Sequence, residues 1–140
     1  MYNRNLKAYK ATSIAADLTV ADPHRVIQLM MQGFLERLAQ AKGAIDRNDM
    51  EAKSVAISKA QGLLHGLQDA LDLSQGTMAE DLYGLYVYMD ERIWDASLAR
   101  DIAPLEEVMG LMVTIKSGWD QLPEAEKQQG YQMRQQLGEL

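Results

Sequence analysis

The chain of 140 residues contains no cysteine. That excludes a disulfide framework, a thiol nucleophile and every cysteine-ligated metal or iron–sulfur site, and it fits a reducing compartment. Prolines number only three, so little interrupts helix formation. Aromatic residues make up 6% of a chain that is 47% apolar, and nine methionines leave the apolar inventory soft and adaptable. Positive charge is in deficit. Fourteen Lys and Arg against 20 Asp and Glu give a formal charge of −6, with a pI near 4.8. Most of the surface would therefore repel a phosphate backbone, and nucleic-acid binding is not expected. No apolar run approaches the ~18 residues of a transmembrane helix, so membrane insertion is not expected either. The N-terminal stretch MYNRNLKAYKATSIAADL lacks the apolar core of a secretory signal, which predicts a cytoplasmic protein.

What is present is helical periodicity. A chain of this length fits one domain and can bury roughly two-thirds of its unfolded surface without a metal or disulfide. Asp22-Pro23 reads as an N-cap followed by proline at the first helical position, and the stripe Ile27, Met30, Met31, Phe34, Leu38, Ala41, Ile45 follows it. A capping box of Asn48 and Glu51 predicts a second start, with a core stripe of Ala56, Ala60, Leu63, Leu67, Ala70 and Leu71 and Gly76 as its stop. Thr77 and Glu80 form a similar box before Leu82, Leu85, Tyr86, Met89, Ile93 and Ala96. The fourth stripe starts around Pro104 and runs through Leu105, Val108, Met109, Met112, Ile115 and Trp119 until Pro123 stops it.

Helices over 23–46, 49–74, 78–98 and 104–121 are predicted, with no strand, because no stretch alternates with period two. Long helices joined by short connections lie antiparallel. The predicted fold is all-α: an antiparallel four-helix bundle over 22–122, preceded by a short, loosely docked N-terminal arm (1–21) and followed by a polar, Gln-rich tail (123–140).

Catalytic and metal chemistry find no foothold. Neither His24 nor His65 carries a Glu three residues before it, as a di-iron bundle would need, and both are predicted on the solvated surface. The acids Glu80, Asp81, Asp90, Glu91, Asp95, Glu106 and Glu107 fall off the core stripes, and no Lys, Arg or Glu is placed on them. The helix dipole accounts for Glu106 and Glu107 in a first turn. Gly62 and Gly66, four apart in an amphipathic helix, predict close helix packing. No phosphate loop, nucleophile elbow or triad exists, so neither enzyme activity nor a cofactor is expected.

One feature exceeds what a bundle needs. Tyr83, Val87, Trp94 and Leu98 step by four, seven and four, a second face about 120° from the core stripe of the third helix, with Tyr88 further round. Val26 and Leu29 also leave the core stripe of the first helix, with Gly33 one turn on. Residues 1–21 covering this surplus, or a widened core, would account for it. So would a groove that receives an amphipathic segment from a partner, for which Tyr and Trp are suited.

At these residues the sequence resembles the family of the flagellar secretion chaperone FliS. The likeness runs over about residues 6–122: Lys7-Ala8-Tyr9, Ala21-Asp22-Pro23-His24, Gly33, Ala41 and Ala44, Lys53, Ser58-Lys59-Ala60, Leu85-Tyr86-Val87-Tyr88-Met89, Leu105-Glu106-Glu107-Val108 and Trp119. Gly76-Thr77-Met78 departs from the Gly-Gly-Glu frequent in that family. The resemblance implies a helical bundle around which the C-terminal segment of flagellin wraps. It implies a second partner, the cytoplasmic domain of the export gate, and an N-terminal segment that lies over part of the flagellin site. Leu6 and Tyr9 match that segment's apolar and tyrosine positions. The predicted partner-binding residues are thus Leu6, Tyr9, Val26, Leu29, Gly33, Tyr83, Val87, Tyr88, Trp94 and Leu98. A structural homo-oligomer, down to a homodimer, and an adaptor for another amphipathic helix stand as alternatives.

Overall fold

The computed structural model describes residues 23–122, which hold four α-helices: α1 Pro23–Asp46, α2 Met50–Asp69, α3 Thr77–Ala99 and α4 Ala103–Asp120. A single 3-10 turn, Leu73–Gln75, lies between α2 and α3, and there is no strand among the described residues. The predicted arm 1–21, with Leu6 and Tyr9, lies outside the described residues, as do the tail 123–140 and the stop at Pro123. Among the described residues, Met30–Asp120 forms one compact unit, distinct from residues 23–29 and 121–122. The packing below is that of Met30–Asp120.

The same device turns the chain at both short connections. At the end of α1, Asn48 adopts a left-handed conformation (φ 57°), its N–H donates to Ile45 O and the N–H of Asp49 reaches back to Ala44 O at 2.8 Å. This is the paired-bond ending that satisfies the last carbonyls of a helix. Asp49 then caps α2, its Oδ1 accepting the N–H of Ala52 at 3.1 Å. At the end of α3, Arg100 is left-handed (φ 53°), Asp101 N–H donates to Ala96 O, and Asp101 Oδ1 accepts the N–H of Ala103. Three-residue connections of this kind force α1 against α2 and α3 against α4 as antiparallel neighbours.

The caps therefore differ from the sequence reading. Asn48 closes α1 rather than opening α2, because an asparagine tolerates the left-handed region and Asp49 is better placed to cap. Gly76 does not end α2, which stops at Asp69. Asp72 instead accepts the N–H and hydroxyl of Ser74 and turns the chain. Gly76, at φ 97° and ψ −158°, a region open only to glycine, precedes α3, and Thr77 is already helical with no side-chain cap bond at this end.

Met31, Phe34, Leu38 and Ala41 of α1 meet Leu64 and Leu67 of α2, Tyr86, Met89 and Ile93 of α3, and Leu105, Val108 and Met112 of α4 in a core closed to solvent. Ala44 and Leu64 are buried where Ile45 and Leu63 were the expected stripe members; both of those are half-buried. Leu63 turns toward α1, where a Cβ on Gly33 would come within 3.3 Å of its Cδ1. Gly66 is a close-packing site, since a Cβ there would sit 2.5 Å from Met30 Cε, whereas Gly62 faces open space.

Two polar side chains are buried that the sequence reading placed on the surface or left off the core stripes. His24 is buried, because it shares the helix face of Ile27 and Met31 three and seven residues on. Lys53 faces the core, on the row of Ala56, Ile57 and Ala60, with its Nζ donating to Ser97 O at 3.1 Å. A long apolar stem can be buried there because its ammonium reaches the carbonyl end of α3, where the helix dipole is negative.

Candidate partner-binding surface

The face of α3 turned toward α2 is marked by two contacts, Lys53 with Ser97 O and His65 Nε2 with Asp90 Oδ2 at 3.5 Å. The face turned toward α4 is marked by Glu107. Its Oε1 accepts the Tyr88 hydroxyl at 2.9 Å and the Arg92 Nε–H at 2.8 Å, and Arg92 also donates to Asp95 at 3.0 Å. Tyr83, Val87, Trp94 and Leu98 point away from the core on the outer flank of the α2 side. They are open to solvent: Leu98 is 80% exposed, Trp94 52%, and Tyr83 and Val87 about 40%. Four apolar side chains in one row along four turns of helix form an apolar strip, not the scattered exposure normal for a surface.

Tyr88 stands apart from that row. It is exposed too, but it lies on the α4 side with its hydroxyl held by Glu107. That hydrogen bond, followed by desolvation, raises the Tyr88 pKa above its ordinary value. Its partners Arg92 and then Tyr88 hold the Glu107 carboxyl below the usual glutamate range. Among the other predicted site residues, Val26 and Leu29 are half-buried in the first two turns of α1, and Gly33 faces Leu63 of α2.

An open hollow of about 490 Å³ at the α1–α2 turn is lined by Gln40, Arg47, Asp49, Glu51, Ala52, Val55 and Ala56, a mixed wall without convergent chemistry. No group of three or more potential metal ligands comes together among the described residues, and no described helix is long and apolar enough to cross a membrane.

Residues 3–126 match the family described as flagellar protein FliS. The chain belongs to that family. Its relatives include the flagellar secretion chaperone FliSB of Pseudomonas aeruginosa, 47% identical over 116 residues that cover 82% of this chain and 92% of that protein. The flagellar secretion chaperones FliS of Vibrio cholerae and Salmonella typhimurium are 34% and 35% identical over 120 and 119 residues, each alignment covering 88% of the relative and 85% and 84% of this chain.

In this FliS-family chain the exposed row on α3 was legible in the sequence from its spacing. The polar cluster that binds α3 to α4 was not, since Tyr88, Arg92 and Glu107 meet only once the two helices pack, and Glu107 looked fully explained by its helix start. Met78 and Leu73, near the start of α3, and Val113 of α4 are further exposed apolar residues off the predicted stripes. Lys53 could have been found, because it stands three, four and seven residues before Ala56, Ile57 and Ala60 on a helical pattern.

Proposed function

We propose that this FliS-family chain is a cytoplasmic flagellar export chaperone that binds the C-terminal segment of flagellin and hands it to the export apparatus. The observation that supports this is the exposed row Tyr83, Val87, Trp94 and Leu98 on a helix whose opposite face is already committed to a closed core. The relatives' names supply the flagellar export setting. Chemistry is not needed for such a task. An apolar segment that would otherwise self-assemble is kept apart by covering it, and the binding energy must exceed the few kcal/mol spent on ordering the segment. The row offers area at low side-chain entropy, in keeping with that demand.

On this proposal the segment lies along α3, and Val26, Leu29 and Gly33 line a neighbouring part of its path. The arm 1–21, through Leu6 and Tyr9, covers part of the site when the client is absent. The cytoplasmic domain of the export gate is the second partner. Light scattering on the chain with and without a flagellin C-terminal peptide tests the reading. A one-to-one complex is expected. A tight dimer that ignores the peptide would overturn it and favour the homo-oligomer, in which a second copy covers the row.

A further inference from the structure

The row on α3 is interrupted. Tyr83 and Val87 are four residues apart, as are Trp94 and Leu98, but seven residues separate Val87 from Trp94. Asp90 and Glu91 both stand in that gap, each three or four residues from Val87 and from Trp94, Glu91 exposed on the solvent side and Asp90 on the side turned toward α2. The Asp90 carboxylate is a quarter exposed, with Oδ2 3.5 Å from His65 Nε2, while Oδ1 is enclosed and has no hydrogen-bond donor. A desolvated carboxylate oxygen without a donor is costly in the free protein, and such an atom calls for a partner.

The surroundings indicate which kind. Glu80, Glu91 and Asp95 also lie on exposed parts of α3. The sole cation of the helix, Arg92, is engaged by Glu107 and Asp95. On α2, Lys53 is engaged by Ser97 O. Among the described residues, no lysine or arginine reaches Asp90, whose charged-group neighbour is the half-exposed His65. Asp95 is paired with Arg92, while Glu80 and Glu91 form no ion pair among the described residues, so the apolar row runs through net negative charge.

We infer that Asp90 is the polar anchor of this surface and takes a lysine or arginine from within an otherwise apolar stretch of the bound segment. The assignment builds on the docking reading above and specifies the chemistry of the client. Apolar side chains on one flank of the cation rest on Tyr83 and Val87, and those on the other rest on Trp94 and Leu98. A turn of the carboxylate about its Cβ–Cγ bond moves both oxygens together, so presenting Oδ1 to the incoming donor exchanges the long 3.5 Å approach of Oδ2 to His65 Nε2 for the new charge-assisted bond. The pair settles register. An apolar row alone lets a segment slide by a helical turn at little cost, whereas one charge-assisted bond in a desolvated place is made at a single register and lost at all others. Neighbouring carboxylates favour a cation over an anion at this point.

Titration calorimetry of flagellin into the full chain, at low and high salt, tests the anchor. Asp90→Asn is expected to weaken binding at least tenfold at low salt and to flatten its salt dependence. Glu36→Gln, an exposed acid of α1 off this row, should stay within twofold. Replacing the basic residues of the flagellin segment by Gln one at a time should give one replacement that costs the unaltered chain the same tenfold and costs the Asp90→Asn chain nothing more. The flagellin-side series uses the unaltered chaperone, so it stands even if Asp90→Asn disturbs folding. Binding by Asp90→Asn within twofold of the unaltered chain overturns the anchor and leaves the docking reading in place. A tenfold loss that no basic replacement reproduces overturns the cation and assigns Asp90 to a backbone or amide N–H. Failure of the unaltered chain to bind flagellin overturns both.

Discussion

Leu98 and Leu67 carry the same side chain, and their surroundings give them opposite jobs. Leu67 is 2% exposed between helices, and Met112 is closed to solvent entirely. Truncating either to alanine removes buried contacts and leaves a cavity, so a loss of about 2–5 kcal/mol in unfolding free energy is expected from denaturant titration. Tyr83→Ala and Leu98→Ala give up little that the folded chain uses and should cost much less. Equal losses at all four would mean that the α3 row is ordinary core. Leu98→Glu should leave the bundle folded, since the side chain already sits in water. In the complex it would place an unpaired carboxylate in a desolvated contact. Flagellin affinity measured by calorimetry is then expected to fall by at least about 2 kcal/mol.

Helix ends and helix pairs are governed by a few hydrogen bonds. Asp49→Ala removes the cap of α2 and should lower stability by about 1 kcal/mol. Arg100 holds a conformation that an L side chain adopts at a cost, so Arg100→Gly should raise stability by about 0.5–1 kcal/mol, read from the same unfolding curves. The cluster between α3 and α4 gives a pH signature. Arg92 and Tyr88 depress the Glu107 pKa in the folded state, so the unfolded chain binds the proton more readily there. The stabilisation is complete above the ordinary glutamate pKa and is lost as pH falls through the depressed folded value. Glu107→Gln should therefore flatten the acid limb of the stability–pH curve. An unchanged limb would show that the pair contributes nothing, the common outcome for exposed ion pairs.

For the molecule as a whole, the buried phenol of Tyr86 sets an upper pH bound. Burial pushes its pKa from 10 up to about 12, so the folded state holds its proton longer than the unfolded chain does. Its contribution is full below pH 10 and disappears as pH rises toward 12, and Tyr86→Phe should move the alkaline unfolding midpoint upward. The sequence by itself determined the four helices, because a 3.6-residue apolar repeat leaves a chain without strand patterning no other way to bury its stripes. Three of the four spans end within two residues of their predicted limits, and α2 alone stops five residues early at Asp69. The row Tyr83, Val87, Trp94 and Leu98 was legible for the same reason, since it depends on spacing within one helix. Tertiary structure alone decided the rest. Asn48 and Asp49 compete for neighbouring roles that depend on how the chain turns between α1 and α2. Whether a polar side chain is inside depends on what another helix brings: Ser97 O admits Lys53, and Glu107 claims Tyr88 and Arg92. Asp90 looked like one more solvated acid until α2 was laid beside it, because only packing between helices can enclose an oxygen and withhold its donor.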